Sequence, residues 1–424
     1  MTPDRLTLSI EKPAAGGRMV ARLDGRIVLV AGAIPGERVV ARVERARGDV
    51  IFAVVDEVLE ASPHRRSDNP DPACGGMTFS HIDADAQRAI KADIVRDAFA
   101  RIGKLAIEVV GVHASPPTAY RMRARVHVRG GRLGSFREGT HDVCDVALTR
   151  QLRDDTVEVL RAVEAIGTTC GVTRIDAIEV AENIDASERV LHVDPSPGVT
   201  LPPAWLEAVG AIAGVSGLTV AASTRRTTLV SGQAVVGDPL AAYVQPSAPG
   251  RIERQGRSFF QANRFLSPVL ARALVGRLTF PSVIDLYAGV GLFALAAAAS
   301  GATDVTAIEG DPFSAEDLDR NAGRLGQRVR VVHAAVEDAV RARRAADDTS
   351  VIVDPPRTGM SKAALDGVLA WKARQVIYVS CDVATVARDA RRFVDAGYRA
   401  SAVDVFDMFP NTPHVETLIA FTRD

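Results

Sequence analysis

The chain has 424 residues, of which 47% are hydrophobic and 24% are charged. These values are ordinary for globular proteins and exclude general disorder. The length allows two or three domains with a large apolar core. The 51 basic and 52 acidic residues leave a formal charge of −1, so the overall charge points to neither a nucleic acid nor a membrane as the partner.

The cysteines and the N-terminus indicate the compartment. Four cysteines are scattered along the chain, which is no disulfide framework and suits a reducing cytosol. The N-terminus has no apolar stretch of the kind found in signal peptides. The most apolar segment, around residues 290–302, is shorter than the roughly 18 to 20 residues that cross a bilayer. We therefore expect a cytoplasmic protein without a membrane segment.

Residues 1–62 consist of short alternating runs separated by turn signals. Asp24-Gly25 is a strong hairpin signal, and Pro35-Gly36 marks another turn. Five short strands at this spacing predict a small β-barrel of the oligonucleotide-binding type. Such a barrel either binds RNA or serves as a packing module.

A Pro- and Asp-rich linker over residues 63–80 precedes a predicted helix at about residues 85–102. The apolar stripe of this helix consists of Ile90, Ile94, Ala98 and Ile102. Mixed strand and turn signals then continue to about residue 255, which predicts a central α+β domain.

A basic strand is predicted near the start of that central region. Arg121, Arg123, Arg125, His127 and Arg129 alternate with apolar residues, so a strand places all the basic groups on one face. This face is either a solvated strand face or an RNA surface that contacts mainly phosphates. The second interpretation makes Arg121, Arg123, Arg125 and Arg129 candidate RNA-binding residues.

Residues 256–424 alternate β-branched apolar runs with helical stretches. The predicted strands cover residues 282–287, 305–309, 329–332, 351–354 and 376–379. This alternation is typical of a doubly wound α/β domain with a parallel sheet.

The first strand of this domain runs into a glycine-containing turn, Asp285-Leu286-Tyr287-Ala288-Gly289-Val290-Gly291. The glycines allow a tight turn and close approach of the backbone to a ligand at a helix N-terminus. Glu309, about twenty residues later, suits a ribose diol. Nicotinamide dehydrogenases, adenosylmethionine enzymes and plain tight turns all show this pattern.

Three later positions carry reactive groups. Asp354-Pro355-Pro356-Arg357 predicts a rigid loop at the ligand-binding edge of the sheet, or simply a stiff turn. Cys381 follows the fifth strand, where a helix N-terminus lowers a thiol pKa, or it is a buried apolar cysteine. Glu416 lies among apolar residues as a tuned base or as an exposed strand end.

The ordered set of motifs closely resembles the adenosylmethionine-dependent RNA 5-methyluridine methyltransferases. The motifs are Phe259-Phe260-Gln261-Ala262-Asn263, the turn of residues 285–291, Asp354-Pro355-Pro356-Arg357, Ser380-Cys381-Asp382 and His414-Val415-Glu416-Thr417-Leu418. Residues 1–62 also resemble that family's TRAM domain. The resemblance implies three parts: an RNA-binding TRAM barrel (1–62), a linker with a central RNA-binding domain (63–255) and a class I methyltransferase domain (256–424). It also implies that the helix near residue 90 packs on the catalytic domain.

By this resemblance Cys381 is the nucleophile and Glu416 is the base. The positions that match adenosylmethionine contacts are Gln261, Tyr287, Gly289, Gly291, Glu309 and Asp354. The chemistry agrees, because uracil C5 attacks a sulfonium methyl group only after a thiolate has added to C6. A base then removes the C5 proton so that the thiolate can leave. The uridine must leave its stack to reach the thiol.

Some relatives hold an iron–sulfur cluster with a Cys-Gly-Gly-Cys core. Here the matching stretch is Cys74-Gly75-Gly76-Met77, and the resemblance offers Cys144 as a remnant ligand. Two thiols are fewer than the four that a cluster needs, so we expect no iron–sulfur cluster and no metal site.

Other functions explain fewer of the motifs. A nicotinamide-dependent oxidoreductase explains the glycine turn but leaves Cys381 and Glu416 without a role. A binding-only descendant of the family needs neither residue. RNA cytosine-C5 methylation also uses a thiol, but the Asp-Pro-Pro-Arg motif in place of a Pro-Cys pair favours uridine. The expected partner is tRNA or 23S rRNA, bound by a monomer.

Overall fold

The computed structural model describes residues 4–67, 72–172, 174–222, 227–246, 248–325 and 328–424. Within them the chain forms a small N-terminal sheet, a central sheet backed by helices and a large mixed sheet flanked by helices. No helix in these ranges is both long and apolar enough to cross a membrane.

The N-terminal sheet follows the predicted hairpins. Its strands are β1 (Arg5–Ser9), β2 (Lys12–Pro13), β3 (Met19–Leu23), β4 (Arg26–Ala31), β5 (Arg38–Arg47) and β6 (Val50–Glu60). Their order is β1-β5-β6-β4-β3-β2, and only β4 and β6 pair in parallel. Asp24 and Gly25 adopt φ angles of 48° and 79°, as this tight hairpin turn requires. The strand count is six rather than the predicted five, because residues 12–13 pair with β3.

The linker helix α1 (Ala84–Ala98) begins at Asp83, whose side chain caps its first turn. It ends in a single π-helical turn, Phe99–Gly103, and the chain continues into β7 (Val109–His113). The first three predicted stripe positions are buried, but Ile102 is 43% exposed. The prediction for Ile102 was wrong because the π turn changes the helical period just before it.

The central sheet is backed on one face by two helices. Its strands are β8 (Arg123–Arg129), β9 (Arg132–Phe136), β10 (Val143–Asp145), β11 (Ile175–Glu182), β12 (Arg189–Pro195), β13 (Gly217–Ala221) and β14 (Thr227–Gly232). They lie in the order β10-β9-β8-β11-β12-β13-β14. Helices α2 (Asp154–Thr169) and α3 (Pro203–Gly210) cover that face, where Leu160 and Trp205 pack against Val126 and Leu191.

A short antiparallel pair, β15 (Val235–Pro239) and β16 (Arg251–Gln255), follows the central sheet. Leu240, Tyr243 and Ile252 belong to the same apolar core as Leu270 in the C-terminal region. This pair is therefore packed against the C-terminal region.

The C-terminal region is the doubly wound α/β domain that the sequence predicts. Its strands are β17 (Ser282–Leu286), β18 (Asp304–Glu309), β19 (Val329–His333), β20 (Thr349–Val353), β21 (Gln375–Ser380), β22 (Arg399–Ala400), β23 (Val403–Phe406) and β24 (Glu416–Thr422). Its helices are α4 (Leu266–Val275), α5 (Leu292–Ala299), α6 (Pro312–Arg324), α7 (Val336–Ala342), α8 (Lys362–Trp371) and α9 (Val383–Asp395). The sheet order is β19-β18-β17-β20-β21-β24-β23-β7, with β22 beside β24. The five strands from β19 to β21 are parallel, whereas β24 is antiparallel to both neighbours.

The segment before the central sheet contributes to this domain. β7 pairs in parallel with β23, and α1 with the π turn after it shares an apolar core with α9 through Val95, Phe99, Val386 and Phe393. The helix near residue 90 thus packs where the family resemblance implies. The boundaries after residues 62 and 255 stay predictions.

The scattered cysteines predict no disulfide framework, but the structure contains one disulfide bond. Cys74 of the linker and Cys144 of β10 are bonded to each other, with their Cα atoms 5.8 Å apart. Both are buried and pack with Met77. The linker is therefore tied covalently to the edge of the central sheet, while Cys170 and Cys381 are free.

Candidate active site

Four parallel strands end at one edge of the C-terminal sheet. Tyr287 follows β17, Glu309 ends β18, Asp354 follows β20 and Cys381 follows β21. Because these strands are neighbours and run in the same direction, the four predicted site residues lie along one edge.

The glycine turn after β17 has the strained backbone that its sequence predicts. Tyr287, Gly289 and Gly291 have φ angles of 63°, 57° and 100°. The φ angle of Gly291 favours glycine, and a Cβ atom there would also lie 2.7 Å from Leu318 Cδ1. A Cβ atom at Gly289 would meet no atom within 4 Å, which leaves open space beside the backbone for a ligand.

Glu309 is held against this turn by backbone donors. Its carboxylate accepts hydrogen bonds from the amides of Gly289 (2.7 Å) and Asp311 (2.6 Å), one on each oxygen. Each oxygen keeps a further lone pair for a ligand hydroxyl.

Asp285 supplies a buried carboxylate under the same turn. Its Oδ2 accepts from the Ala294 amide at 3.0 Å, whereas its Oδ1 is buried without a hydrogen-bond partner among the described residues. Burial, together with the charges of Asp354 and Glu309, raises the pKa of Asp285 well above its ordinary value. An unpaired buried oxygen of this kind is satisfied by a cation or a hydrogen-bond donor.

Cys381 and Glu416 come together through the register of β21 and β24. Ser380 is paired with Thr417, and Thr417 Oγ1 donates to the Ser380 carbonyl oxygen at 3.0 Å. The next position outward on each strand is Cys381 on one side and Glu416 on the other. Glu416 is 3% exposed, and Cys381 is partly buried with a free thiol.

The charges around this pair keep the thiol protonated. Burial and the negative charges of Glu416 and Asp354 raise the pKa of the Cys381 thiol to about 12, while Arg357 opposes the rise. The expectation that the N-terminus of α9 lowers this pKa was wrong, because burial and the two carboxylates outweigh it. Burial and Asp354 likewise raise the pKa of Glu416 well above its ordinary value.

Asp354 is linked to the Phe-Phe-Gln-Ala-Asn motif. Gln261 Nε2 donates to Asp354 Oδ2 at 3.3 Å, yet burial still raises the pKa of Asp354 to about 7. Asn263 Nδ2 donates to the Met408 carbonyl at 3.1 Å, which anchors the loop that leads to Glu416. The motif thus holds both carboxylates in place.

Sequence reasoning missed a buried ion pair behind the same loop. Lys91 of α1 is fully buried, pairs with Asp407 and donates to the Phe409 carbonyl at 3.1 Å. The one available signal was a lysine on the buried stripe of a helix, next to Ile90. Sequence reasoning also gave no role to His414, whose pKa falls to about 4 through burial and nearby cations, so its imidazole is neutral.

The basic strand has the predicted alternation, but most of its arginines have partners in the protein. Arg123 contacts Glu179 at 2.9 Å and is mostly buried, and Arg125 contacts Glu179 at 3.0 Å. Arg121 precedes β8 and donates to Gln151 Oε1 at 2.7 Å. These contacts indicate that the three arginines stabilise the fold at least in part. RNA binding by this face stays a prediction.

Comparisons with known proteins agree with this geometry. Residues 4–55 match the TRAM domain, and residues 339–424 match the tRNA (Uracil-5-)-methyltransferase family. The chain is 30% identical to a 23S rRNA (uracil(1939)-C(5))-methyltransferase of Pseudomonas putida, over 98% of this chain and 93% of that protein. The chain belongs to the RNA uracil-C5 methyltransferase family. A relative with the same name from Chromohalobacter salexigens is 33% identical, over 98% of this chain and 89% of that protein.

A solved structure of another uracil-C5 methyltransferase has the same fold as this chain. The tRNA (uracil-54, C5)-methyltransferase of Pyrococcus abyssi, in complex with S-adenosyl-L-homocysteine, superposes with a TM-score of 0.77. The match covers 100% of both chains at 21% identity. The family resemblance and the fold class predicted from the sequence are confirmed.

Proposed function

We propose that the protein methylates C5 of a uridine in RNA with S-adenosylmethionine as the methyl donor. The observation that supports this most is the register of β21 and β24, which brings Cys381 opposite Glu416 and within electrostatic range of it and of Asp354. The glycine turn follows β17, in the same group of neighbouring strands. A thiol, a carboxylate and an adjacent donor site are the three elements that this reaction needs.

The residues at the turn fit S-adenosylmethionine. When bound, this group supplies a methyl group carried on a positively charged sulfur. The carboxylate of Glu309 and the ionised form of Asp354 make the site negative, which suits a cationic ligand, and the unpaired Oδ1 of Asp285 leaves an unsatisfied polar atom beneath the turn. In this proposal Glu309 binds the ribose hydroxyls, and the open space at Gly289 admits the ligand. The remaining contacts come from Gln261, Tyr287, Gly291 and Asp354.

In this proposal Cys381 and Glu416 act in sequence on the uridine. The Cys381 thiol first releases its proton to solvent, which is favoured by Arg357 and by any positive charge that enters the site. The thiolate then bonds to C6, and the electron pair of the C5–C6 double bond moves into the uracil ring as an enolate. After C5 has gained its methyl group, Glu416 takes the C5 proton, the sulfur–C6 bond breaks and the double bond returns. The thiolate leaves unchanged and Glu416 passes the C5 proton to solvent, so both residues are regenerated.

The RNA is proposed to be 23S rRNA or tRNA. The curated relatives are named for 23S rRNA, whereas the solved neighbour is named for tRNA. TRAM-like barrels contact RNA, which supports an RNA partner for residues 4–55. A cytoplasmic monomer is the simplest setting for this activity.

A trapping experiment tests the proposal. The enzyme and S-adenosylmethionine are mixed with tRNA or with 23S rRNA, each transcribed with 5-fluorouridine. Fluorine at C5 blocks the final proton removal, so a substrate RNA stays covalently attached, and mass spectrometry identifies the peptide and the nucleotide. We expect the adduct on Cys381. No adduct with either RNA, while S-adenosylmethionine still binds, would contradict the proposal.

Two variants test the roles separately. Cys381→Ala is expected to abolish transfer and to keep S-adenosylmethionine binding, with the exposed Cys170→Ser as the matched control. Glu416→Gln is expected to transfer the methyl group but to stall before release, so that an adduct with unmodified RNA accumulates. Methyl transfer by Cys381→Ala would contradict the mechanism, because the mechanism requires the thiolate of Cys381.

A further inference from the structure

An aromatic and cationic cluster lies on the edge of the central sheet, away from the catalytic residues. The imidazole of His127 stacks on the ring of Phe136, with centroids 3.7 Å apart and planes 15° apart. His141 meets the same ring edge-on at 5.5 Å, and the Arg129 guanidinium carbon lies 5.3 Å from its centre. We call these four residues the Phe136 cluster.

The cluster lies on a part of the sheet that the rest of the fold leaves accessible. The opposite face of β8 and β9 packs on α2 and α3, and β15 covers the neighbouring strands β11 and β12 through Val236. Arg129 and His141 are exposed, and Phe136 and His127 are partly buried. An aromatic stack with the Arg129 guanidinium over the Phe136 ring is therefore presented to solvent.

The backbone under the cluster is held rigidly. The Gly75 amide donates to the Phe136 carbonyl at 3.0 Å, and the Glu138 amide donates to the Ala73 carbonyl at 2.8 Å. The disulfide between Cys74 and Cys144 ties the same linker to β10. A platform that is already ordered loses little conformational entropy when a ligand binds.

The basic strand connects the cluster to the candidate active site. The guanidinium carbon of Arg121, before β8, lies 5.5 Å from the ring centre of Phe409, in the loop that leads to Glu416. Arg129 is eight positions further along the chain, which corresponds to roughly 26 Å of extended strand. RNA whose uridine occupies the active site can reach the cluster with nucleotides that flank this uridine.

We propose that the Phe136 cluster binds a base of single-stranded RNA flanking the target uridine, with the base stacked on the rings and its phosphate beside Arg129. The proposal rests on the proposed function, since it extends that RNA site. Stacking on aromatic rings tolerates any base, because every base has a π face. Arg129 gives the salt dependence that phosphate contacts carry. Burial, together with Arg125 and Arg129, lowers the pKa of His127, so its ring stacks in the neutral form.

Fluorescence anisotropy with a labelled oligoadenylate of about 15 nucleotides tests the proposal, since one single-stranded binding site spans roughly 4–16 nucleotides. This probe has no uridine, so it reports binding without adduct formation. Phe136→Ala is expected to weaken binding by about tenfold with an unchanged salt slope. Phe136→Trp is expected to keep the wild-type affinity. Arg129→Gln is expected to lower the slope of log K against log salt by about one.

The matched control is Leu229→Ala, which removes an exposed apolar side chain from the opposite end of the same sheet. Circular dichroism and thermal unfolding establish that each variant is folded. Equal affinity of Phe136→Ala and the wild type, or an equal loss in Leu229→Ala, would overturn the proposal. A Phe136→Ala defect without any fluorouridine adduct in the wild type would retain this surface and reject the proposed reaction. A fluorouridine adduct in the wild type, without a binding defect in Phe136→Ala, would support the proposed reaction and reject the Phe136 cluster as an RNA site.

Discussion

Removing the Cys74–Cys144 disulfide is expected to lower the free energy of unfolding by about 4 kcal/mol. The bond joins residues that are 70 positions apart. In the chain-entropy model, closing a loop of this length restricts the unfolded chain by about 4 kcal/mol at 25 °C. We expect the packing to be retained when the bond is open, since Cys74, Met77 and Cys144 are buried together. The loss in Cys144→Ala therefore comes mainly from the less restricted unfolded chain.

Guanidinium unfolding of the wild type and of Cys144→Ala, each with and without a phosphine reductant, measures this difference. Without reductant the wild type is expected to be the more stable protein, and with reductant the two curves are expected to converge. Cys170→Ser is the control, since it removes an exposed free thiol. If reduction leaves the wild-type curve unchanged, or if Cys144→Ala unfolds with the oxidised wild type, the reasoning from the disulfide is refuted.

Further predictions concern charge, packing and metal content. Burial raises the pKa of Asp354 to about 7, and its ionised form attracts a cation, so S-adenosylmethionine affinity is expected to rise up to about tenfold from pH 6 to pH 8 in calorimetry. Asp354→Asn is expected to flatten this profile; a pH dependence that persists in this variant would assign it to another group. Lys91→Met leaves Asp407 buried and unpaired, so it is expected to cost about 3–5 kcal/mol in denaturant unfolding, and Lys91→Met/Asp407→Leu is expected to recover most of that loss. Gly291→Ala combines a positive φ with a clash against Leu318 and is expected to lower stability by about 1–3 kcal/mol in thermal unfolding. Anaerobically purified protein is expected to lack stoichiometric iron and sulfide, and finding them would overturn the prediction that Cys74 and Cys144 are too few ligands for a cluster.

The C-terminal domain was predictable because its periodicity is local. Buried parallel strands appear as apolar β-branched runs, and the glycine turn needs positive φ angles that few other residues adopt. The residues at the ends of those runs, from Tyr287 to Cys381, therefore fall on one edge of the sheet whatever the details of packing. The hairpin at Asp24-Gly25 was predictable for the same local reason.

Contacts between distant segments depended on the tertiary structure. The pairing of Lys91 with Asp407 joins residues 316 positions apart, and no local pattern specifies such a partner. The pKa of the Cys381 thiol is raised because Glu416 and Asp354 converge on it, whereas a sequence shows only the nearby helix N-terminus. The exposure of Ile102 depends on one π-helical turn.

The sequence by itself thus determined the strand and helix periods, the turn at Gly289 and Gly291, and the types of reactive group at each strand end. These features follow from backbone sterics and from burial patterns within one element. The register that sets Cys381 beside Glu416 and the bond between Cys74 and Cys144 were decided only by the tertiary structure. The Phe136 cluster was also decided only by the tertiary structure, because the packing of distant segments, and not local preference, sets which side chains meet.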